Sequence, residues 1–281
     1  VQDYTITGEQ LQAFRQRLVW EEKSPATIEK DLRDAADFTA WLDGRAASKA
    51  ATGPWKAALL EAKLAPATIN VKLAAVNRFL VFLGWPAFRV KPLRIQRRLF
   101  RDAGRELTKS DYQSLLDAAC RLGRERLGLL VETIGATGIR VSEVRYITVE
   151  AVRQGKAEVS LKGKIRVILL PGKLCRKLLK YAQKQKTASG AIFRTKSGKE
   201  LGRRQIWAEM KSLCKYAGVM PGKVFPHNLR HMFATVFYRA CRDIVKLSDL
   251  LGHSSIETTR IYLLTSGAEH QRTLDRLGLI S

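Results

Sequence analysis

The sequence GLLVETIGATGIRVSEVRYI, residues Gly128–Ile147, joins a strongly apolar segment to a polar one through closely spaced glycines. Its apolar residues recur at helical spacing as far as Ile134, and a glycine-rich turn is predicted at 135–138. A second helix is predicted directly after this turn. Arg140 and Glu143 lie three positions apart in it, so the carboxylate is expected to hold the guanidinium in place.

Two short segments that follow alternate between apolar and polar residues. AEVSL and IRVILLP, residues 157–161 and 165–171, flank the turn Lys162-Gly163-Lys164, a pattern typical of a β-hairpin. Helical patterns occupy most of the remaining chain. The order of helices, one hairpin and further helices predicts a mainly α structure with a small β-hairpin, of the α+β class rather than a parallel α/β sheet.

Residues 1–88 are predicted to form a small helical bundle. SPATIEKDLRDAADFTAWL from Ser24 and APATINVKLAAVNRFLVFL from Ala65 share a Pro-Ala-Thr-Ile start and apolar residues at three- and four-residue spacing. An internal duplication and two unrelated amphipathic helices would both give this similarity. Either origin predicts helices that pack on a common apolar core.

A basic linker, residues 89–105, is predicted between this bundle and a second domain at 106–281. The stretch PAFRVKPLRIQRRLFRDAGR, Pro86–Arg105, carries seven basic residues and one acid. Such a run is either a solvated face or a contact to phosphates, which would neutralise its self-repulsion. The candidate phosphate contacts in it are Arg89, Lys91, Arg94, Arg97, Arg98 and Arg101.

The composition favours a polyanionic partner. The chain of 281 residues has 50 Lys and Arg against 26 Asp and Glu, a formal charge of +24 spread along its length. No run approaches the roughly 20 apolar residues of a membrane-spanning helix, so no membrane partner is expected. Four widely separated cysteines fit no zinc spacing, which predicts reduced, buried thiols in the cytoplasm and no metal site.

Several polar motifs have ordinary structural explanations when each is considered alone. Arg140 and Glu143 would suit any exposed helix, and a hairpin lysine such as Lys162 is usually solubilising. In PHNLRHMFATVFYRA, His227 and Arg230 share a predicted helix face. In LGHSSIETTRIY, residues 251–262, a histidine precedes a predicted helix cap at Ser254, and a tyrosine follows two turns later.

Together these motifs supply the groups that metal-free phosphodiester cleavage requires. They combine two arginines, two histidines, a lysine and a tyrosine, with no carboxylate pair and no glycine-rich nucleotide loop. Fixed cations can stabilise a pentavalent phosphorane, while a nucleophile attacks and an acid protonates the leaving oxygen. Tyr262 is the candidate nucleophile.

These motifs together resemble those of a known family. TGIRVSEV, HNLRH and LGHSSIETTRIY are similar, in order and spacing, to the active-site motifs of tyrosine recombinases, the integrase family of site-specific DNA recombinases. The resemblance covers about residues 105–270, and the bundle is similar to the family's core-binding domain. It implies a two-domain C-shaped clamp on double-stranded DNA at a specific recombination site, without cofactor, metal or ATP. It also implies a tetramer on two DNA sites, accessory proteins as further partners, and a cytoplasmic, nucleoid-associated location.

The resemblance also implies a role for each residue. Tyr262 attacks the scissile phosphate to form a 3′-phosphotyrosyl link, and His227 accepts its proton. Arg140 and Arg230 bind the non-bridging oxygens, with Glu143 in support, and His253 adds a donor. The general acid is Lys162 or Lys164, because the turn KGKIR is shorter than is usual in the family and offers two lysines. The Lys-Gly order favours Lys162.

Other interpretations remain open from the sequence alone. A type IB topoisomerase would share most of the catalytic set, and a non-enzymatic helical DNA-binding protein would share the charge. Phage integrase, transposon integrase and chromosome-dimer resolvase are not distinguished. The length leaves no room for an extra arm-binding domain, and the start at Val1 suggests that an upstream piece has been removed. The apolar tail after Tyr262 is expected either to fold back on its own domain or to dock on a neighbouring subunit.

Overall fold

The structure is a computed structural model that describes residues 4–95, 103–161, 164–195, 197–262 and 275–276. The chain divides into two compact units, Val1–Arg97 and Arg98–Ser281. Some predicted residues lie outside the described ranges: Arg97, Arg98, Arg101, Lys162, and the tail after Tyr262 apart from residues 275–276. Within the described ranges, no helix combines the length and apolar character that crossing a membrane requires.

The first unit is a helical bundle, as predicted. The two similar sequence segments form helices that each begin at their proline, and the aligned Phe38 and Phe79 are both completely buried. Phe79 packs on Phe14 of the first helix with ring centroids 5.0 Å apart. The helices are α1 (Gly8–Trp20), α2 (Pro25–Leu42), α3 (Lys49–Glu61) and α4 (Pro66–Phe82).

The start of the predicted linker is held against this bundle. Asn77 of α4 accepts a hydrogen bond from the Val90 amide and donates one to the Val90 carbonyl, both at 2.8 Å. Asn70, two turns earlier, makes the same pair of bonds with Leu93 at 2.7 and 2.9 Å. Val90 is buried as a result. We refer to residues 89–95 as the basic segment, because its exposed side chains include Arg89, Lys91 and Arg94.

The second unit contains the larger core and, among its described residues, one two-stranded sheet. The mainly α class with a small hairpin is therefore confirmed. Its elements are α5 (Lys109–Arg121), α6 (Glu125–Thr137), a 3-10 helix (Val141–Tyr146), α7 (Val149–Gln154), β1 (Lys156–Leu161), β2 (Lys164–Leu169), α8 (Gly172–Lys184), α9 (Arg203–Lys211), α10 (Cys214–Ala217), α11 (Pro226–Cys241), α12 (Ile244–Leu251) and α13 (Ile256–Arg260). Short 3-10 turns lie at Pro86–Phe88, Ala103–Arg105 and Pro221–Lys223.

The predicted glycine-rich turn after Ile134 is wrong in its position. Helix α6 continues to Thr137, and Gly138 ends it with a left-handed φ of 62°. Gly135 lies inside the helix against Tyr112, where an added Cβ would stand 2.6 Å from a ring carbon. Gly135 thus serves close packing, and the second predicted helix is a 3-10 helix.

The hairpin forms as predicted, and its register determines which side chains face the core. β1 and β2 are antiparallel, with Val159 opposite Arg166 and Leu161 opposite Lys164, and the predicted turn residues 162–163 lie outside the described residues. Val159 and Ile168 are buried, whereas Ile165 and Val167 are exposed. Arg166 therefore occupies an inward-facing position on β2.

Two smaller predictions also need correction. The cap of α13 is Ser255 rather than Ser254, because the Ser255 hydroxyl accepts from the Glu257 amide at 3.2 Å. Of the four cysteines, Cys175 and Cys214 are buried, but Cys120 and Cys241 are exposed. Helix α13 therefore forms, but it begins one residue later than predicted.

We expect Asn77→Ala to destabilise the first unit, because it leaves the amide and carbonyl of Val90 without side-chain partners. The loss should be about 1–3 kcal/mol, with the higher helix propensity of alanine acting in the opposite direction. Urea unfolding followed by tryptophan fluorescence measures it, since four of the five tryptophans lie in this unit. Gln12→Ala, at an exposed position on α1, is the control. A change within about 0.5 kcal/mol for Asn77→Ala would contradict the role of this clamp.

Candidate active site

Arg140 stands at the start of the 3-10 helix, where Glu143 fixes both its backbone and its side chain. One Glu143 oxygen accepts from the Arg140 amide at 2.8 Å, and the other accepts from its guanidinium at 3.0 Å. Glu143 is 2% exposed at the side chain, while Arg140 is 42% exposed. The predicted ion pair is present, and it presents a partly open guanidinium.

Arg230 is the buried cation of the site, on the second turn of α11. Its guanidinium donates to the carbonyl of Gly138 at 2.5 Å and to that of Leu251 at 2.7 Å. Among the described residues it forms no ion pair with a carboxylate. Burial, followed by the charge of Arg140, lowers the pKa of Arg230 to about 10, so it remains a cation at neutral pH.

The ring of His253 has a defined tautomer. Its Nε2 lies 2.8 Å from the Arg230 guanidinium, which can only donate, so Nε2 must accept. The proton is then on Nδ1, which lies 2.9 Å from the Thr259 hydroxyl. Burial and the charges of Arg230, Arg140 and Arg166 lower the pKa of His253 to about 4. His253 is therefore neutral at pH 7 and accepts a hydrogen bond from Arg230.

Tyr262 is enclosed by imidazole rings. It is 3% exposed, and its ring stacks on His253 with centroids 5.8 Å apart. The rings of His227 and His231 lie at 6.3 and 5.1 Å. Burial, followed by the charges of Arg230 and Arg140, lowers the pKa of His227, which keeps this imidazole neutral near pH 7. His231 was not predicted as a site residue, although it stands one turn after His227.

Arg166 also belongs to the site and was missed from the sequence. It makes an ion pair with Glu143 at 2.8 Å and donates to the Leu250 carbonyl at 3.3 Å and to the Leu251 carbonyl. The available signal was its position in phase with the apolar Ile168 and Leu170, which are buried. A charged residue at such a position normally has a specific partner.

The guanidinium groups of Arg140, Arg166 and Arg230 lie around the C-terminal end of α12. Its last carbonyls accept from Arg166 and Arg230, and the Gly252 carbonyl lies 3.4 Å from the Arg140 guanidinium. The C-terminal end of a helix carries partial negative charge, which favours cations there. Among the described residues, Glu143 is the one carboxylate that pairs with them, so the three arginines leave an excess of positive charge, which is suited to an anion.

An open cavity adjoins this cluster. It has a volume of about 850 Å³ and is lined by Arg140, Glu143, Arg166, Arg203 and His253, among others. A second cavity of about 350 Å³, lined by Trp207 and His227, lies on the other side of Arg203. Within the described residues, no group of three or more His, Cys, Asp or Glu side chains is placed to hold a metal ion.

The structure brings together six of the residues predicted from sequence. Arg140, Glu143, His227, Arg230, His253 and Tyr262 are linked by the contacts above. Lys164 is the first residue of β2, and Lys162 lies outside the described residues, so the choice between the two lysines stays open. Arg89, Lys91 and Arg94 belong to the first unit.

Comparison with known proteins identifies similar chains. Residues 105–268 match the phage integrase family. The tyrosine recombinase XerD of Xanthomonas campestris is 32% identical, over 94% of this chain and 90% of that protein. The tyrosine recombinase XerC of Roseiflexus castenholzii is 31% identical, over 91% of this chain and 88% of that protein.

Solved structures show the same fold. A crystal structure of a lambda integrase tetramer bound to a Holliday junction has a TM-score of 0.72 and 14% identity, over 90% of this chain and 76% of that one. A crystal structure of XerA recombinase has a TM-score of 0.53 and 22% identity, over 98% of this chain and 100% of that one.

The lowered pKa values predict how stability depends on pH. The folded state holds His253 neutral to about pH 4, whereas an unfolded histidine takes up a proton near pH 6.5. This contribution to stability is therefore complete above about pH 6.5 and is lost as the pH falls toward 4. The free energy of unfolding is measured with urea at several pH values in this range. It should change less steeply with pH in His253→Gln than in the wild-type chain. Equal slopes would mean that His253 is not the source.

Proposed function

We propose a mechanism for this chain from one premise: it belongs to the phage integrase family of tyrosine recombinases. Its activity is site-specific DNA recombination, and its relatives favour neither a type IB topoisomerase nor a non-enzymatic DNA-binding protein. The observation that carries the mechanism is the convergence of Tyr262 and His227 with the cations Arg140 and Arg230.

The first step is attack by the Tyr262 oxygen on the scissile phosphorus. The new oxygen–phosphorus bond forms a 3′-phosphotyrosyl link as the bond to the 5′ oxygen breaks. A phenol is mostly protonated at neutral pH, so the attack needs a proton acceptor. His227 suits this role because its lowered pKa keeps it neutral. The departing 5′ oxygen takes its proton from Lys162 or Lys164.

Arg140 and Arg230 are proposed to hold the non-bridging oxygens. Their guanidinium groups donate to backbone carbonyls at Gly252, Gly138 and Leu251. Phosphate oxygens are stronger acceptors for a charged donor than neutral carbonyls are. A scissile phosphate would replace some of these bonds, and they would strengthen as negative charge grows on the phosphorane.

His253 has a more specific role than the one expected from the sequence. Its Nε2 accepts from Arg230, so with this tautomer it cannot also donate to a phosphate through that atom. We propose that His253 orients Arg230, while its Nδ1 proton is committed to Thr259. Direct donation to DNA from Nε2 would require the opposite tautomer.

Rejoining reverses the chemistry. The 5′ hydroxyl of a second strand attacks the phosphotyrosyl phosphorus and releases Tyr262, so the bond energy is kept and ATP is not needed. Exchange between two sites requires several active sites, and a lambda integrase with the same fold was solved as a tetramer on a Holliday junction. We propose that this chain also acts as a tetramer on two duplexes, with a cytoplasmic, DNA-associated location.

The basic segment is proposed to bind DNA backbone near the first unit. Its backbone is held by Asn70 and Asn77, and by Lys56, which donates to the Lys91 carbonyl at 3.0 Å. Arg89, Lys91 and Arg94 are exposed on this held backbone. Cations on an ordered segment can contact phosphates without a large entropic cost of ordering the chain.

We expect Tyr262→Phe to abolish the covalent DNA adduct while duplex binding stays unchanged, because only the hydroxyl is removed. A nicked recombination site traps the adduct, which is detected by denaturing gel. Tyr238→Phe is the matched control, since Tyr238 packs on the same apolar cluster. Excess EDTA should not affect the wild-type adduct. An adduct in Tyr262→Phe, or its loss with EDTA, would overturn the mechanism.

A second expectation separates chemistry from binding. Arg140→Ala should slow cleavage by about a hundredfold or more and change duplex affinity little, because its contact strengthens in the transition state.

Replacing Arg89, Lys91 and Arg94 together by Gln should lower the slope of log affinity against log salt by nearly one for each lost contact.

The control for the second variant removes the same charge elsewhere on the first unit. Arg15, Arg33 and Lys63 are exposed there, and replacing them by Gln should change the salt slope less. Filter binding at several salt concentrations measures both variants. Equal slopes for the two would show that the basic segment makes no particular contact.

A further inference from the structure

Arg166 joins the hairpin to two parts of the active site. We infer that it is a positioning residue for recombination, which holds Arg140 through Glu143 and fixes the backbone that leads to His253. The inference rests on the proposed function of Arg140 and His253. It assigns Arg166 no contact with the DNA.

The first connection is through the Glu143 carboxylate. One of its oxygens accepts from Arg166 at 2.8 Å and from the Arg140 amide at 2.8 Å, and the other accepts from the Arg140 guanidinium at 3.0 Å. Glu143 is almost fully buried, so its orientation depends on these donors. Without Arg166 the carboxylate would lose one of its two charged partners and could rotate about its side-chain bonds, and Arg140 would move with it.

The second connection is to the end of α12. Arg166 donates to the carbonyls of Leu250 and Leu251, and the Leu251 carbonyl also accepts from Arg230. The side chain passes so close to Gly252 that an added Cβ there would stand 2.5 Å from the Arg166 Cδ atom. His253 is the next residue. Arg166 thus holds the backbone directly before the histidine that orients Arg230.

The donors of Arg166 are directed at protein atoms. Its two terminal nitrogens are used by Glu143 and the two carbonyls, and its side chain is 13% exposed. Its Nε is buried and has no hydrogen-bond partner among the described residues. A guanidinium committed in this way is suited to orienting neighbours rather than to binding a phosphate.

The strand position explains why an arginine is needed. Arg166 pairs with Val159, two residue pairs from the hairpin turn, so its backbone is fixed in the sheet. Only a planar group with several donors can reach a carboxylate and two carbonyls at once. Lysine would keep the charge and the apolar stem but would have a single nitrogen for these acceptors.

The test compares Arg166→Met and Arg166→Lys with the wild-type chain on a nicked recombination site. Each is measured for duplex affinity, for the rate of adduct formation at saturating DNA, and for melting temperature. We expect duplex affinity within about twofold of wild type and a fall in cleavage rate of about tenfold for both variants. The lysine variant keeps the charge, so it tests geometry even if the methionine variant does not fold.

A double-variant cycle separates positioning from general stability. If Arg166 acts through Arg140, then Arg166→Lys should slow cleavage much less in an Arg140→Ala background than in the wild-type background. The matched control is Arg126→Lys, because Arg126 forms a similar pair with Glu209 at 2.7 Å and also donates to a carbonyl. Arg126 lies near the other end of α6 from Gly138, about 18 Å away along the helix.

The outcomes are distinct. Loss of cleavage in Arg166→Lys, absent from Arg126→Lys and reduced in the Arg140→Ala background, supports the inference. Normal cleavage by Arg166→Lys, an equal loss in Arg126→Lys, or an undiminished loss in the Arg140→Ala background would overturn it. Failure of the proposed function itself would appear differently, as absence of a Tyr262-dependent adduct in the wild-type chain.

Discussion

The C-terminal carbonyls of α12 hold three guanidinium groups together, and the active site depends on this interaction. Arg140, Arg166 and Arg230 would repel one another in a partly buried site, and in the described part of the chain Glu143 is the one carboxylate that pairs with any of them. Carbonyl dipoles at the end of a helix reduce this repulsion without cancelling the charge. The site therefore keeps a positive potential that a phosphodiester can use, which a set of full ion pairs would have removed.

The same concentration of charge determines the state of the imidazoles. Burial and the neighbouring arginines lower the pKa of both His227 and His253, so both rings are neutral where the enzyme acts. Neutral His227 can accept a proton, and neutral His253 can accept a hydrogen bond from Arg230. One electrostatic environment thus suits the two rings to their proposed roles, a base and an orienting group. Neither role requires a metal ion or a carboxylate beside the nucleophile.

The first unit also holds basic residues in place through neutral hydrogen-bonding groups, at its surface. Two asparagines at a seven-residue spacing on α4 bind the backbone of the basic segment, so its charges are presented from an ordered chain. The amide side chain supplies one donor and one acceptor, as a neighbouring β-strand would. The backbone of the basic segment and the guanidinium of Arg230 are thus held by neutral polar groups, while Arg140 and Arg166 share the Glu143 carboxylate. This arrangement preserves charge for a polyanion.

The sequence alone determined the fold class, the hairpin and the helical bundle, and it predicted six residues that the structure brings together. Helical and alternating periodicities depend on local spacing, and the motifs around Arg140, His227 and Tyr262 consist of residues close together in the chain. Short-range signals failed where packing competed with them. Gly135 suggested a turn but lies in a helix against Tyr112, and Ser254 suggested a cap that Ser255 provides.

Only the tertiary structure decided how these residues act on one another. Arg166 is far in sequence from Glu143 and from Leu251, so no local pattern could pair them. The tautomer of His253 follows from Arg230 on one side and Thr259 on the other, and the two come from different helices. The lowered pKa values arise from burial and from charges that approach through space. Periodicity specifies which face of an element is buried, but the partners that a polar side chain meets there depend on how the elements pack.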